Sequence, residues 1–345
     1  MRTMLPMRGF PNRNVRLGLA MLAAVAVLAA APGAHAEVYS DKSPIPPADA
    51  AKIEAAAPAT PQAKPRKARK LLVYCYPESF HPSVPYCARA LAAMGKKSGA
   101  FEAVFTNDTA SFEPEALREF DAIFLANITP ANKLPKELFL PNCGEDFEKL
   151  PDAEKAPARA VNERRKKSVM DFVRSGKGLC GNHSTADCFY DWREFGRMLG
   201  GYFDGHPWHE KVTLELVDPK SPVAAAFGGK PFEVIEEIYQ FKDTYTRDEL
   251  HILTRLDPQK VQIARPGVNR KDGDFAISWI RDWGTGRVFY CALGHREETY
   301  WNPVVMQHFL DGSQYALGDL PADATPSARL VLPAGPAARG VPASK

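Results

Sequence analysis

From residue 70 onward, apolar β-rich runs alternate with helix-spaced segments, and this alternation restricts the fold more than any other property of the chain. Lys70-Leu-Leu-Val-Tyr-Cys-Tyr76 reads as a buried parallel strand ended by Pro77. Val84 to Lys97 carries helical spacing, Phe101 to Thr106 forms a second strand, and Pro114 to Phe120 is a short helix opened by a favourable proline. Asp121 to Asn127 is a third strand. The helix Lys166 to Ser175, closed by Gly176, leads into a strand at Gly178 to Gly181. Strand alternating with helix predicts an α/β fold with a doubly wound, mostly parallel sheet. After the helix Trp192 to Leu199 and Gly200-Gly201 the pattern turns to strands: Lys211 to Val217, Phe232 to Phe241, His251 to Leu256, Phe275 to Trp283 and Arg287 to Leu293. These predict additional antiparallel strands in the C-terminal half, with a hairpin turn at Trp283-Gly-Thr-Gly286 and a covering helix at Pro303 to Leu317.

The flanks differ in kind. Arg2, Arg8, Arg13 and Arg16 precede the apolar run Leu17 to Ala31, and Ala34-His35-Ala36 fits a small-residue cleavage site, so residues 1–36 read as a secretory signal and the mature chain as periplasmic or secreted. The run is short for a membrane span, and no stable span is expected after cleavage. Residues 37–69, rich in Ala, Pro and Lys, read as a disordered linker, and residues 320–345 as a disordered tail. One domain is expected at 70–319. Between Thr129 and Ala160 prolines and charges interrupt the alternation, predicting a long loop that is a lid, a binding loop or a disordered stretch. A formal charge of +3 is too small to point to nucleic acid. All six cysteines follow the signal; Cys75, Cys180 and Cys291 fall in strand-like runs, and Cys143 with Cys188 is the best candidate disulfide pair.

Gly176-Lys-Gly-Leu-Cys-Gly-Asn-His-Ser-Thr-Ala186 reads as a buried strand running into a sharp turn that presents His183 where hydrolases and amidotransferases present Ser or Cys. Histidine suits proton transfer or metal ligation better than acyl transfer. Ligands of open α/β sheets bind beyond the carboxyl ends of the strands. His81, His183 and His295 each follow a predicted strand, and His206 follows the double glycine in Gly205-His-Pro-Trp-His209. Strand alternation aims Glu237 and Tyr239 at one face. His206 and His209 are three apart, so extended spacing sends them to opposite faces and one of them reaches the site. Asp187 and Asp191 read as helix-entry residues, and His251 and His308 as structural.

Phe80-His81, Gly178 through Ser184, Gly200 to Pro207, Glu236-Glu-Ile-Tyr239 and Gly286-Arg-Val-Phe-Tyr with Leu293-Gly-His295 together resemble the trehalose-utilisation (ThuA-like) family, over roughly Lys70 to Asp319. The resemblance implies a flavodoxin-like fold similar to class I glutamine amidotransferases but without their Cys-His-Glu triad, and a role in carbohydrate metabolism on a sugar or keto-sugar derivative. It also favours His206 over His209. Two departures stand out: the family's Asp-Glu pair is Glu236-Glu237, and the Thr129 to Ala160 stretch looks like an insertion.

Imidazoles with a carboxylate suit zinc or a similar divalent ion, which would polarise a sugar carbonyl or hydroxyl. Without metal, the same groups suit acid–base work next to a ketone. The expected catalytic residues are His183, His295 and Glu237; the expected substrate contacts are His81, His206, Tyr239 and Trp208, with Tyr300 and Trp301 as further aromatics. His183, His206 and His295 are the expected ligands of one divalent ion, zinc first. If catalytic, the chain is a lyase, isomerase or hydrolase of sugars rather than a glutamine amidotransferase. The rival expectation is a non-catalytic carbohydrate-binding or assembly module using the same pocket.

Overall fold

The computed structural model describes residues 42–76, 79–130 and 136–329, so the expected signal segment lies outside the described residues. In chain order the first half holds α1 (Pro47–Ala56), β1 (Lys70–Tyr74), α2 (Val84–Ser98), β2 (Glu102–Thr106), α3 (Pro114–Leu117), β3 (Ala122–Ala126), α4 (Asp152–Arg174), β4 (Gly178–Asn182) and α5 (Arg193–Leu199). The second half adds β5 (Tyr202–Phe203), β6 (Trp208–Leu216), β7 (Phe232–Ile238), β8 (Phe241–Lys242), β9 (His251–Leu256), β10 (Ala276–Trp283), β11 (Gly286–Cys291) and α6 (Pro303–Leu317).

A nine-stranded sheet runs in the order β2-β1-β3-β4-β11-β10-β9-β6-β7. The pairs from β2 through β4 to β11 are parallel, and those beyond β11 are antiparallel. In β1, Leu71 to Tyr74 are all buried, as a strand covered on both faces requires. The carboxyl ends of β1, β3, β4 and β11 therefore share one edge. Each antiparallel step reverses direction, so β7 also ends at that edge and β6 starts there. The whole constellation of expected site residues follows from this parity.

β6 pairs with β7 from Trp208 to Leu214 but with β9 only at Leu214 to Leu216. The β6–β7 hairpin thus leaves the sheet and arches back over the shared edge. Strand character was expected to continue to Phe241, but β7 stops at Ile238 because Gln240 turns away. Its side chain accepts from the Asn269 and Arg270 amides and donates to Gly267 O. Phe241 then pairs with Phe203 in a separate two-stranded sheet, β5–β8.

Four expectations require correction. The Thr129 to Ala160 stretch is not all loop, because α4 begins at Asp152. Acidic residues in its first turn favour the helix, and Pro157 removes a single ladder bond among good helix formers. The 37–69 linker is ordered over its described part: Ile53 of α1 is buried, the amides of Gln62 and Ala63 donate to Gln314 Oε1, and Arg69 pairs with Asp319. The tail packs as far as Ser327, whose amide donates to Leu250 O. No disulfide joins Cys143 to Cys188; the first thiol lies 3.3 Å from Tyr76 Oη and the second donates to Thr185 O at 2.9 Å.

Candidate functional site

β4 is buried throughout and ends in a turn at His183, whose φ of 40° is left-handed. A non-glycine residue there costs about 1 kcal/mol or more, so its surroundings must hold it. Tyr290 Oη donates to His183 O at 2.6 Å, and the ring Nδ1 lies 2.9 Å from Ala292 O. A carbonyl only accepts, so Nδ1 carries a proton and Nε2 is the ring nitrogen left to face the site. That nitrogen is buried without a hydrogen-bond partner, yet stands 3.3 Å from Glu237 Oε2.

His81, after β1, and His295, after β11, complete a group of imidazoles on the parallel frame. Ring centroids are 4.8 Å apart for His81 and His183, 5.4 Å for His81 and His295, and 5.4 Å for His183 and His295. Nδ1 of both His81 and His295 is buried without a hydrogen-bond partner. Burial, reinforced by the neighbouring imidazoles, pushes His81 down to about 2. Burial likewise lowers His295 to about 4, against the pull of Glu237. Both rings are neutral around pH 7 and ready to donate electron pairs.

The arching hairpin supplies the anion. Glu237 Oε1 is 3.2 Å from His206 Nδ1 and 3.7 Å from His295 Nε2, while Oε2 faces His183. Burial acts to raise this carboxyl, but His183, His295 and His206 outweigh it and hold it at about 2. Glu237 and Tyr239 do share a face: the Tyr239 ring lies 4.2 Å from that of His183 and 4.4 Å from Phe203. Donor atoms of His81, His183 and Glu237 all fall within 4.8 Å of one another. His206 and His295, expected as ligands beside His183, instead flank this trio through Glu237.

Several expected contacts lie elsewhere. Trp208 is fully buried against Phe275, with Nε1 bonded to Gln262 O, because the first residue of β6 already faces the core. Tyr300 is buried too, its hydroxyl bonded to Asn127, Asn182 and Gly294 O; Trp301 packs on Tyr86. His251 and His308 are structural as expected, with ring nitrogens on Thr325 O and Asp218, and on Val223 O.

Three participants escaped the sequence. His209 reaches the site alongside His206, its ring 4.9 Å from His295, because His206 precedes β6 and strand alternation does not relate the two. Asp187, read as a helix-entry residue, accepts from Tyr190 Oη at 2.5 Å and is raised by burial to about 6. Glu236 is fully buried and accepts from the Gly294 and Arg296 amides at 3.0 and 3.1 Å. Its only sequence signal was an acidic pair in a strand, where alternation must turn one member inward.

With this geometry in view, the comparisons with known proteins fall into place. A family model described as ThuA, trehalose utilisation, matches residues 70–316. A ThuA-like protein of Bacteroides uniformis superposes with a TM-score of 0.53 at 19% identity, over 74% of this chain and 94% of that one, a likeness of fold. One from Parabacteroides merdae gives 0.47 at 16% identity, over 76% and 93%. PurLQS from Thermotoga maritima gives 0.39 at 17%, over 72% and 99%. No curated protein matches the sequence. Among the described residues no helix is long and apolar enough to cross a membrane.

Proposed function

The chain belongs to the ThuA, trehalose-utilisation, family, and from that membership we propose that it is an exported protein that acts on a sugar or keto-sugar derivative at the imidazole–carboxylate cluster. The observation that carries this reading is Glu237, a buried anion within 3.7 Å of nitrogens from His183, His206 and His295. Imidazoles around a carboxylate form the donor set that zinc and similar divalent ions take. The orphaned Nε2 of His183 supports the same fit, since its other nitrogen is anchored to a carbonyl in the manner of a metal ligand. His81, His183 and Glu237 would hold the cation, which when bound polarises a carbonyl or hydroxyl of the sugar.

The chain's own groups do the rest. His295 and His206 stand beside Glu237 and move protons to and from the substrate, His206 from its half-exposed position. Phe80, the most exposed large apolar side chain described, is 59% exposed with its ring edge-on to His81. Its backbone is fixed by a 2.7 Å bond to Thr129 O, so the ring forms a ready platform for the apolar face of a sugar. The turn presents His183 where a nucleophilic thiol would stand, and Cys180 is buried in β4 with its thiol raised by burial to about 12, which disfavours acyl transfer.

A panel of mono- and disaccharides beginning with trehalose, incubated with the zinc-loaded protein and read by NMR in heavy water, tests this reading. Conversion or deuterium uptake that is lost in His183→Ala and Glu237→Gln is the expected outcome. Full turnover by both variants would overturn the assignment; binding without turnover would favour a carbohydrate-binding module, the reading that Phe80 supports equally well.

A further inference from the structure

The geometry points to Glu236 as the positioning residue of His295, a clamp that acts on the backbone on either side of the imidazole. Neighbouring glutamates of β7 divide two tasks. Glu237 turns its carboxylate to the imidazoles, while Glu236 turns the opposite way and is fully buried. Its Oε2 accepts from Gly294 N at 3.0 Å and from Thr299 Oγ1 at 2.5 Å, and its Oε1 accepts from Arg296 N at 3.1 Å and from Glu237 N at 3.0 Å.

Four donors hydrogen-bond this carboxyl group, and two of the four are the amides that bracket His295. β11 ends at Cys291, so the segment from Gly294 to Arg296 has no strand partner to fix it. A buried carboxyl group that accepts several N–H bonds replaces that partner. Gly294 permits the approach through its φ of 137°. The far side of the same glycine is held as well: its carbonyl accepts from Ser83 Oγ, Asn127 Nδ2 and Tyr300 Oη. The imidazole of His295 is thereby delivered to Glu237 by the residue next to Glu237 in sequence. The hairpin therefore carries both the anion of the site and the fastener that keeps one imidazole of the frame in reach.

This inference rests on the cluster being the functional site, but its test needs neither metal nor substrate, so it fails or stands separately from the reading above. Glu236→Gln brings an amide N–H₂ into a ring of donors and can satisfy only part of it. In the metal-free full chain, amide exchange at Gly294 and Arg296 should then accelerate at least about 10-fold beyond that of the β4 amides. The His295 ring signals should move towards those of an exposed histidine, while His251 stays in place. Should Glu236→Gln fail to fold, Thr299→Val removes one donor and leaves the backbone bonds; a smaller displacement of the His295 signals in the same direction is expected. A uniform loss of stability with His295 signals unmoved, in whichever variant folds, would overturn the clamp.

Discussion

The parallel frame and the arching hairpin contribute to the site in opposite ways. β1, β4 and β11 deliver imidazoles from strand ends held by buried bonds, as at His183, whose ring Nδ1 meets Ala292 O and whose carbonyl accepts from Tyr290 Oη. The β6–β7 hairpin delivers the Glu237 carboxylate to them from an element that pairs with β9 through Leu214 to Leu216 of β6. Imidazole nitrogens thus sit on rigid ground and the charge beside them arrives from outside. A site divided in this way is complete only when the hairpin is seated, and the two regions should respond differently to perturbation.

The largest difference is expected from glycines. Gly294→Ala in the frame would place its Cβ 2.5 Å from Asn182 Nδ2 and 2.7 Å from Tyr300 Oη, both buried and bonded. The φ of 137° adds strain, so a loss of about 3 kcal/mol in urea unfolding is expected. Gly205→Ala before the hairpin also carries strain, with a φ of 107°, but its Cβ meets the end of the Gln240 side chain at 3.2 Å and Gly267 O at an ordinary 3.8 Å, so it should cost about half as much. Equal losses would erase the distinction between rigid frame and yielding hairpin.

Acid sensitivity offers a smaller but cleaner contrast. The folded-state pKa of His81 is lowered to about 2, so the unfolded chain binds its proton first and stability falls as pH drops below about 6.5, continuing towards about 2. Between about pH 7 and about pH 5 this one residue should cost about 2 kcal/mol, a loss that His81→Gln removes. Glu237, lowered to about 2 as well, acts in the same direction but only below about 4.5, so Glu237→Gln should leave the upper window unchanged. If denaturation curves of wild type and His81→Gln moved in parallel over that window, the neutral, buried imidazole assigned to the frame would be wrong.

The smallest effect belongs to His209, exposed at the start of β6 with only a ring contact to His295. His209→Ala should change stability by less than about 0.5 kcal/mol and leave the frame untouched. A larger change would make the hairpin a second source of imidazoles rather than of charge alone.

The same division decides what could be read from the sequence. Frame strands such as Leu71 to Tyr74 and Ala122 to Ala126 are continuous buried runs, and the strand-end histidines follow from them. Register within the hairpin was less accessible: β6 starts at Trp208, three residues before the expected boundary, and that shift turns Trp208 inward and His209 outward. The leader hid its order because α1 buries one apolar side chain, Ile53, and much of what fastens the segment lies far off in sequence, as with the hydrogen bonds to Gln314 and Asp319 about 250 residues away, which no local pattern encodes. Glu236 was visible as one member of an acidic strand pair but not as a clamp, since its partners, Gly294 and Arg296, come from another strand end.

Calorimetric titration of the metal-free protein with zinc tests most directly the claim that frame and hairpin together make one site. The account predicts one ion per chain for the wild type, with affinity falling at least about 100-fold in both His183→Gln, from the frame, and Glu237→Gln, from the hairpin, while His209→Ala binds as the wild type does. Zinc that fails to bind the wild type, or that binds Glu237→Gln unchanged, would contradict it.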